Sequence, residues 1–204
     1  MKLNNYLLVG FILLILFNLV LLYRYNALIN DKKRQEYIST TDQTDEALKR
    51  FYYESLNSGN CSLNLKEKLV SIGRDTLTLG DILKQDSKYL LFRYSNSNCN
   101  SCINEAYDRL IRRKDQLQGI HIIVLSYYES IREMIIEGGH SSGNKLPVYL
   151  CAGDNIGLPI DEKNVPYLCF VDDGKISKHV MVVDSSYPDI IDEYLKIIIN
   201  KYCE

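Results

Sequence analysis

The sequence predicts an α/β protein, in which a mixed β-sheet is sandwiched by helices and preceded by an N-terminal transmembrane helix. Three features indicate this class: a long apolar run near the N-terminus, alternating strand-like and helix-like segments from residue 61 onward, and a final hairpin pattern followed by an amphipathic helix. Alternating strands and helices favour parallel strands joined by crossover connections, whereas a hairpin adds antiparallel strands. The predicted divisions are a membrane anchor at 1–25, a polar helical stalk at 26–60 and the α/β domain at 61–204.

The composition excludes several functional classes. The 204 residues carry 24 Lys and Arg against 26 Asp and Glu, a formal net charge of -2. A general nucleic-acid-binding protein would show a basic excess, so no nucleic-acid partner is expected. A hydrophobic fraction of 46% argues against an intrinsically disordered chain. Six cysteines are too sparse for a miniprotein held together by disulfides.

The apolar run from Tyr6 to Tyr23 contains one strongly polar residue, Asn18. A helix of this length spans roughly 27 Å, close to the thickness of a bilayer core. The two tyrosines lie where aromatic residues are enriched at membrane interfaces. A cleaved signal peptide is the alternative, but Arg24 and Asn26 follow the run instead of the small residues of a cleavage site. The sequence therefore favours an uncleaved anchor.

The charges around residues 6–23 leave the orientation of the anchor open. Lys2 precedes the segment, whereas Arg24 and the basic residues at 32–34 follow it. A literal count of positive charges would place the body of the protein in the cytoplasm. However, a short N-terminal flank more often stays inside, and the chemistry described below favours an oxidising compartment. We therefore expect a bacterial-type cell membrane with an extracytoplasmic (periplasmic) C-terminal domain.

Each element of the α/β domain is predicted from a local pattern. Strands are short apolar runs bounded by turn residues, and helices have apolar residues at i, i+3 and i+4. An Asp-Gly pair indicates the turn of the last hairpin. The predicted strands are 69–72, 76–79, 89–94, 120–125, 147–151, 167–171 and 175–183, and the predicted helices are 82–83, 100–118, 130–137 and 188–202.

Two cysteines, Cys99 and Cys102, lie where a predicted strand meets an amphipathic helix. Their spacing at the start of a helix brings both sulfurs within disulfide reach. The free N–H groups and the positive end of the helix dipole favour a thiolate at Cys99. Cys102 lies one turn further on and can attack a mixed disulfide formed at Cys99. The pair predicts thiol–disulfide exchange that needs no organic cofactor and no metal.

Two other interpretations of the pair remain. A zinc site needs four ligands, usually from a second cysteine pair or paired histidines. The three histidines, at positions 121, 140 and 179, are scattered along the chain. The second alternative is that Cys99 and Cys102 are two unrelated buried thiols.

The region from about Asn64 to Tyr202 resembles the thioredoxin-like superfamily, nearest its membrane-anchored redoxin/TlpA-type thiol–disulfide oxidoreductases. A second motif supports the resemblance, because NVPYLCFVDDGKI at 164–176 matches the family's strand after Val/Thr-Pro, its Asp-Gly turn and its next strand. The resemblance implies that Pro166 follows a cis bond and faces the cysteines. The Val165 backbone would then pair with an extended substrate segment. An ordinary proline at a strand start is the alternative.

Two residues depart from the family pattern. Asn98 replaces the aromatic residue that often precedes the first cysteine, and Arg93 replaces a buried Asp found six residues before it in many thioredoxins. Both are therefore candidates for tuning the thiol pKa values. If Arg93 points at the site, it favours thiolates; it could equally face outward and be solvated. A peroxiredoxin is disfavoured, because Phe92 and Asn96 occupy the Pro and Thr/Ser positions of its motif.

The predicted function is a membrane-tethered thiol–disulfide oxidoreductase acting on protein thiols or disulfides, with an unidentified dithiol electron donor or acceptor. The alternative is a redox-inactive thioredoxin-fold binding or assembly module at the membrane. Of the other cysteines, Cys151 and Cys169 are expected to be buried and structural. Cys61 and Cys203 flank the domain and could pair if the domain is extracytoplasmic.

Overall fold

A computed structural model describes residues 61–84, 87–137, 146–172 and 175–203, with scattered residues between 21 and 58; for 175–179 it describes the backbone only. The chain divides into two compact units, residues 1–47 and 48–204. In the first unit, the described residues are helical and lie between 21 and 29. None of the helices in the described part of the chain is long and apolar enough to cross a bilayer. The predicted anchor and stalk lie almost wholly outside the described residues.

From residue 61 onward, the described chain contains strands, α-helices and two 3₁₀ helices in an alternating order. The 3₁₀ helices are Lys114–Gln116 and Pro159–Lys163. The strands are β1 (Lys68–Ser71), β2 (Thr76–Thr78), β3 (Lys88–Ser95), β4 (Ile120–Tyr127), β5 (Val148–Cys151), β6 (Tyr167–Asp172) and β7 (Lys175–Val182), and the α-helices are α1 (Leu79–Ile82), α2 (Asn100–Arg113), α3 (Ile131–Glu137) and α4 (Pro188–Tyr202).

These strands form one sheet in the order β2-β1-β5-β4-β3-β6-β7. Strands β3, β4 and β5 are parallel, whereas β6 and β7 add antiparallel pairs next to β3. The N-terminal hairpin lies at the other side, where β1 pairs antiparallel with β5. The predicted mixed sheet with helices is therefore confirmed. Strand β3 lies between β4 and β6, so the residues that follow it are supported on both sides.

The two faces of the sheet carry separate hydrophobic cores, as the alternation of side chains along a strand requires. In β3, Leu90 and Phe92 point into the core that contains α2, α3 and α4, whereas Leu91 points into the opposite core. The opposite core is covered by α1 and by the 3₁₀ helix at Pro159–Lys163. Because α2 packs on the first face, residues of β3 with odd numbers point away from that helix.

Helix α2 is shorter than predicted. It ends at Arg113, and the chain continues as a 3₁₀ turn in which the Leu117 N–H donates to the carbonyls of Arg113 and Lys114. Such a turn uses carbonyls that the end of an α-helix leaves without partners. Gly119 then adopts φ 76°, a left-handed conformation that glycine adopts without steric cost. Gly119 therefore lies beyond the 3₁₀ turn, six residues after the end of α2.

No sequence pattern predicted the 3₁₀ helix at Pro159–Lys163. Its start is held by one carboxylate: Asp161 Oδ2 accepts the backbone N–H groups of Ile156 and Leu158 at 2.9 and 3.0 Å. The other oxygen of Asp161 accepts the Tyr167 hydroxyl at 2.6 Å. This short helix ends at Lys163, and its C-cap residue, Asn164, comes immediately before the Val165–Pro166 pair.

All six cysteines are free thiols in the structure. The pairing considered for Cys61 and Cys203 is wrong for a physical reason. Cys61 packs against the core that contains Leu91, whereas Cys203 packs against the opposite core. The sheet therefore lies between the two sulfurs.

Candidate active site

The redox loop, residues 96–99, connects the end of β3 to the start of α2. Its first residue is fixed to the neighbouring parallel strand, because the Asn96 N–H donates to the Tyr127 carbonyl at 3.0 Å. A tight turn follows, in which the Asn98 N–H donates to the Ser95 carbonyl at 3.1 Å. The chain then enters α2 with Cys99 as the residue that caps the helix.

The sulfur of Cys99 occupies the position that a Ser or Asp oxygen usually takes at a helix N-terminus. The residue has extended backbone angles, and its Sγ accepts the Cys102 N–H at 3.4 Å. The Ser101 hydroxyl lies 2.9 Å from the same sulfur. Cys99 is exposed, whereas Cys102 is 7% exposed. One thiol is thus accessible to a substrate and the other is held behind it.

The environments of the two thiols shift their pKa values in opposite directions. Hydrogen bonding from the Cys102 side chain, with smaller contributions from Ser101 and the Cys102 N–H, lowers the pKa of Cys99 to about 7. Burial raises the pKa of Cys102, and the neighbouring Cys99 raises it further. A nucleophile that ionises before its partner is the arrangement that thiol exchange requires.

Ser185 approaches the buried thiol from the loop between β7 and α4. The thiol of Cys102 donates to Ser185 Oγ at 3.5 Å, and the Ser185 N–H donates to Cys102 Sγ at 3.5 Å. The Ser185 and Ser101 hydroxyls are 3.1 Å apart. The two cysteines are therefore bridged by two serines. Ser185 was not among the predicted site residues, because no local sequence pattern shows which loop will reach the end of a helix.

The alkylation rate of Cys99 by iodoacetamide is expected to rise with pH around a midpoint of about 7. The reason is that the thiolate is the reactive form, and its fraction grows as pH rises through the pKa. Cys102 is expected to react only at more alkaline pH, because burial raises its pKa. Timed quenching followed by mass spectrometry of cysteine-containing peptides separates the two rates.

The matched variant for this measurement is Ser101→Ala, which removes the hydroxyl next to the sulfur of Cys99. Its midpoint is expected to move to higher pH, since that hydroxyl lowers the pKa of Cys99. An unchanged midpoint in the variant, or faster alkylation of Cys102 than of Cys99, would contradict the assignment of Cys99 as the activated thiol.

Asn98 joins the redox loop to the segment before Pro166. The side chain is 9% exposed; its Oδ1 accepts the Ser95 N–H at 2.8 Å and its Nδ2 donates to the Asn164 carbonyl at 2.8 Å. Asn164 Oδ1 in turn accepts the hydroxyls of Ser95 and Ser97 at 2.8 and 3.1 Å. We call these four residues the asparagine clamp. An aromatic residue at position 98 could not make these bonds, so the departure from the family pattern has a structural role.

The predicted cis bond before Pro166 is wrong, because the described chain contains no cis peptide bond. Two residues earlier, Asn164 adopts a left-handed conformation with φ 47° and ψ 51°. Pro166 then continues in the trans form, the usual isomer of bonds before proline, and its carbonyl accepts the Val183 N–H at 2.8 Å. None of the described residues forms a hydrogen bond with the Val165 backbone.

Arg93 adopts neither of the two predicted orientations. It is 4% exposed, and its guanidinium donates to the carbonyl of Tyr94 and, at 3.0 Å, to that of Asp154. The Tyr127 ring lies 6.0 Å from its guanidinium carbon. Arg93 has an odd number in β3 and therefore points away from α2, and it is not among the groups that shift the pKa of Cys99 or Cys102. Arg93 therefore connects the end of β3 to the segment after β5 and does not contact the thiols.

A cavity of about 260 Å³ adjoins the asparagine clamp, and its lining includes Arg93, Asn98 and Val165. The cavity thus brings together three of the four predicted site residues outside the cysteine pair, and Pro166 is not part of its lining. Within the described residues, no group of three or more His, Cys, Asp or Glu side chains is placed to hold a metal ion.

Comparison with known proteins finds similarity only at the level of solved structures. No protein-family model matches the sequence, and no curated protein matches it. An uncharacterised thioredoxin-like protein from Porphyromonas gingivalis shares 17% identity at a TM-score of 0.47, covering 70% of this chain and 97% of its own. The thioredoxin domain of a thiol-disulfide oxidoreductase from Bacteroides vulgatus shares 15% identity at a TM-score of 0.44, covering 67% of this chain and 97% of its own. Peroxiredoxin Q from Xanthomonas campestris shares 14% identity at a TM-score of 0.45, covering 67% of this chain and 94% of its own. At these scores and identities, the similarity does not decide between their activities.

Proposed function

We propose that this chain is a thiol–disulfide oxidoreductase of the TlpA-like type that exchanges disulfides with protein substrates. Cys99 attacks a substrate disulfide, and Cys102 resolves the mixed disulfide to give a reduced substrate and a Cys99–Cys102 disulfide. The reverse sequence oxidises a substrate dithiol. One observation carries the proposal: an exposed thiol with a lowered pKa at a helix N-terminus, with a buried thiol one turn behind it.

The substrate is proposed to be an extended segment of another protein. The Val165 backbone has no hydrogen-bond partner among the described residues and lies next to the asparagine clamp. An extended peptide could pair with its N–H and C=O groups as an added strand would. This role does not require a cis bond, because it depends on the free backbone groups of Val165; Pro166 has no N–H, and its carbonyl already accepts the Val183 N–H.

We also propose that residues 6–23 tether the domain to a bacterial-type membrane, with the domain on the extracytoplasmic side. The proposal is based on the length and apolarity of that segment. A membrane-impermeant alkylating reagent applied to intact cells is expected to label Cys99. Labelling only after the cells are lysed would place the domain in the cytoplasm instead.

The test of the oxidoreductase is a redox titration of the full chain in detergent, followed by alkylation and mass spectrometry. A reversible two-electron transition linking Cys99 and Cys102 is expected in the wild type and in Cys203→Ser, and it is expected to be lost in Cys99→Ser. A midpoint of about −270 mV would indicate a reductant and one of about −120 mV an oxidant. If the disulfide never forms at any potential, the oxidoreductase is excluded and a redox-inactive binding module becomes the better explanation.

A further inference from the structure

The two cysteines are connected by a continuous line of hydroxyl groups. The Cys102 thiol donates to Ser185 Oγ at 3.5 Å, the Ser185 and Ser101 hydroxyls are 3.1 Å apart, and Ser101 Oγ lies 2.9 Å from Cys99 Sγ. The line begins at a buried sulfur and ends at an exposed one. It therefore leads from the interior to the surface where a substrate sulfur would be bound.

The chemistry of the buried thiol needs such a path. Cys102 must lose its proton before it can attack a mixed disulfide at Cys99, because the thiolate is the nucleophile. Burial opposes this ionisation. Among the described residues, neither a carboxylate nor a histidine forms a hydrogen bond with the Cys102 sulfur. Arg93 stands where many thioredoxins have a buried Asp, and its side chain points to the other face of the sheet.

We propose that Ser185 and Ser101 form a proton relay between the buried thiol and the departing substrate sulfur, an inference that rests on the proposed oxidoreductase function. In the resolving step, the Cys102 proton passes to Ser185 Oγ, the Ser185 proton to Ser101 Oγ, and the Ser101 proton to the departing sulfur. The electron pair of Cys102 Sγ forms the new bond to Cys99 Sγ. The bond between Cys99 and the substrate sulfur breaks with its pair on the substrate, which leaves as a thiol.

The backbone of Ser185 completes the arrangement. Its N–H donates to Cys102 Sγ at 3.5 Å, so the sulfur keeps a hydrogen-bond donor when its own proton leaves. A donor to the ionised form favours that form. Ser185 thus accepts the proton through its hydroxyl and stabilises the resulting thiolate through its amide. Both groups touch a reacting atom, so Ser185 is assigned as a catalytic residue.

The experiment follows the two steps of exchange separately. The reduced full chain is mixed with bis(2-hydroxyethyl) disulfide, quenched with acid at set times and analysed by mass spectrometry for reduced, mixed-disulfide and internally oxidised forms. In Ser185→Ala, formation of the mixed disulfide is expected to match the wild type. Its conversion to the internal disulfide is expected to slow at least about tenfold, the kinetic equivalent of one lost hydrogen bond.

Two further variants separate a relay from a structural role. Ser185→Thr keeps a hydroxyl and is expected to restore the resolving rate, whereas the neighbouring, exposed Ser186→Ala is expected to behave as wild type. The relay is overturned if Ser185→Ala resolves at the wild-type rate, or if Ser185→Thr has the wild-type melting temperature but resolves as slowly as Ser185→Ala. A wild-type chain that forms the mixed disulfide but never the internal one would instead refute the proposed function, and the relay with it.

Discussion

A chain in which Cys102 is replaced by serine is expected to accumulate a mixed disulfide at Cys99 and to lose turnover by on the order of 10³-fold or more. Cys99 remains exposed and at the helix N-terminus, so its attack on a substrate disulfide is retained. Serine cannot resolve the product, because its hydroxyl is not a nucleophile for sulfur at neutral pH. Non-reducing electrophoresis and intact mass measure the trapped species, and reduction of a protein disulfide measures turnover.

The matched control for this prediction is Cys203→Ser, which removes a half-buried thiol at the end of α4. Its turnover is expected to stay at the wild-type level with no trapped species. Sustained turnover in Cys102→Ser would show that a second thiol of the protein is unnecessary. Absence of a mixed disulfide in that variant would show that Cys99 does not attack substrates. Either outcome contradicts the assigned roles.

Replacing Asn98 with alanine is expected to lower the free energy of unfolding by about 2–3 kcal/mol. The variant leaves the Ser95 N–H and the Asn164 carbonyl without the side-chain partners that now lie 2.8 Å away. Position 98 is 9% exposed, so water replaces these bonds poorly. Equilibrium unfolding of the full chain in urea, followed by circular dichroism, measures the change.

Asn96→Ala is the matched control for the asparagine clamp. Asn96 is in the same loop and also makes a side-chain hydrogen bond, to Glu133 at 3.2 Å, but it is exposed. Loss of the Asn96 side chain is expected to lower the free energy of unfolding by no more than about 0.5 kcal/mol, the usual effect of a surface substitution. Equal destabilisation by the two variants would show that the clamp contributes nothing beyond an ordinary surface contact.

Local patterns were sufficient to predict the order of the elements. The apolar run of β3, the periodicity of α2 and the Pro at the start of α4 each depend on neighbouring residues, and each element was found close to its predicted place. The position of Cys99 and Cys102 at a strand–helix junction follows from the same local signals. Their different burial then follows from the helix itself, because successive turns lie at different depths.

Other features depend on contacts between distant parts of the chain and could not be predicted. The pairing of β1 with β5 joins segments about eighty residues apart. The approach of Ser185 to Cys102 joins a loop to a helix that is similarly distant in the sequence. The direction of the Arg93 side chain could not be predicted, because the sequence does not show which face of β3 is covered by α2. The cis bond before Pro166 was predicted from family resemblance and was wrong, because the structure holds this bond in the trans form.

The placement of the sulfurs limits which disulfides the folded molecule can form. Cys151 and Cys169 are buried on the face of the sheet opposite Cys102, where burial raises the pKa of Cys151 to about 12 and that of Cys169 well above its usual range. Cys203 lies near Lys88, at the far end of β3 from the redox loop, roughly 26 Å along the strand. An oxidant that reaches the native protein therefore finds Cys99 and Cys102 as neighbours, and pairing of Cys102 with Cys151, Cys169 or Cys203 first requires the domain to unfold.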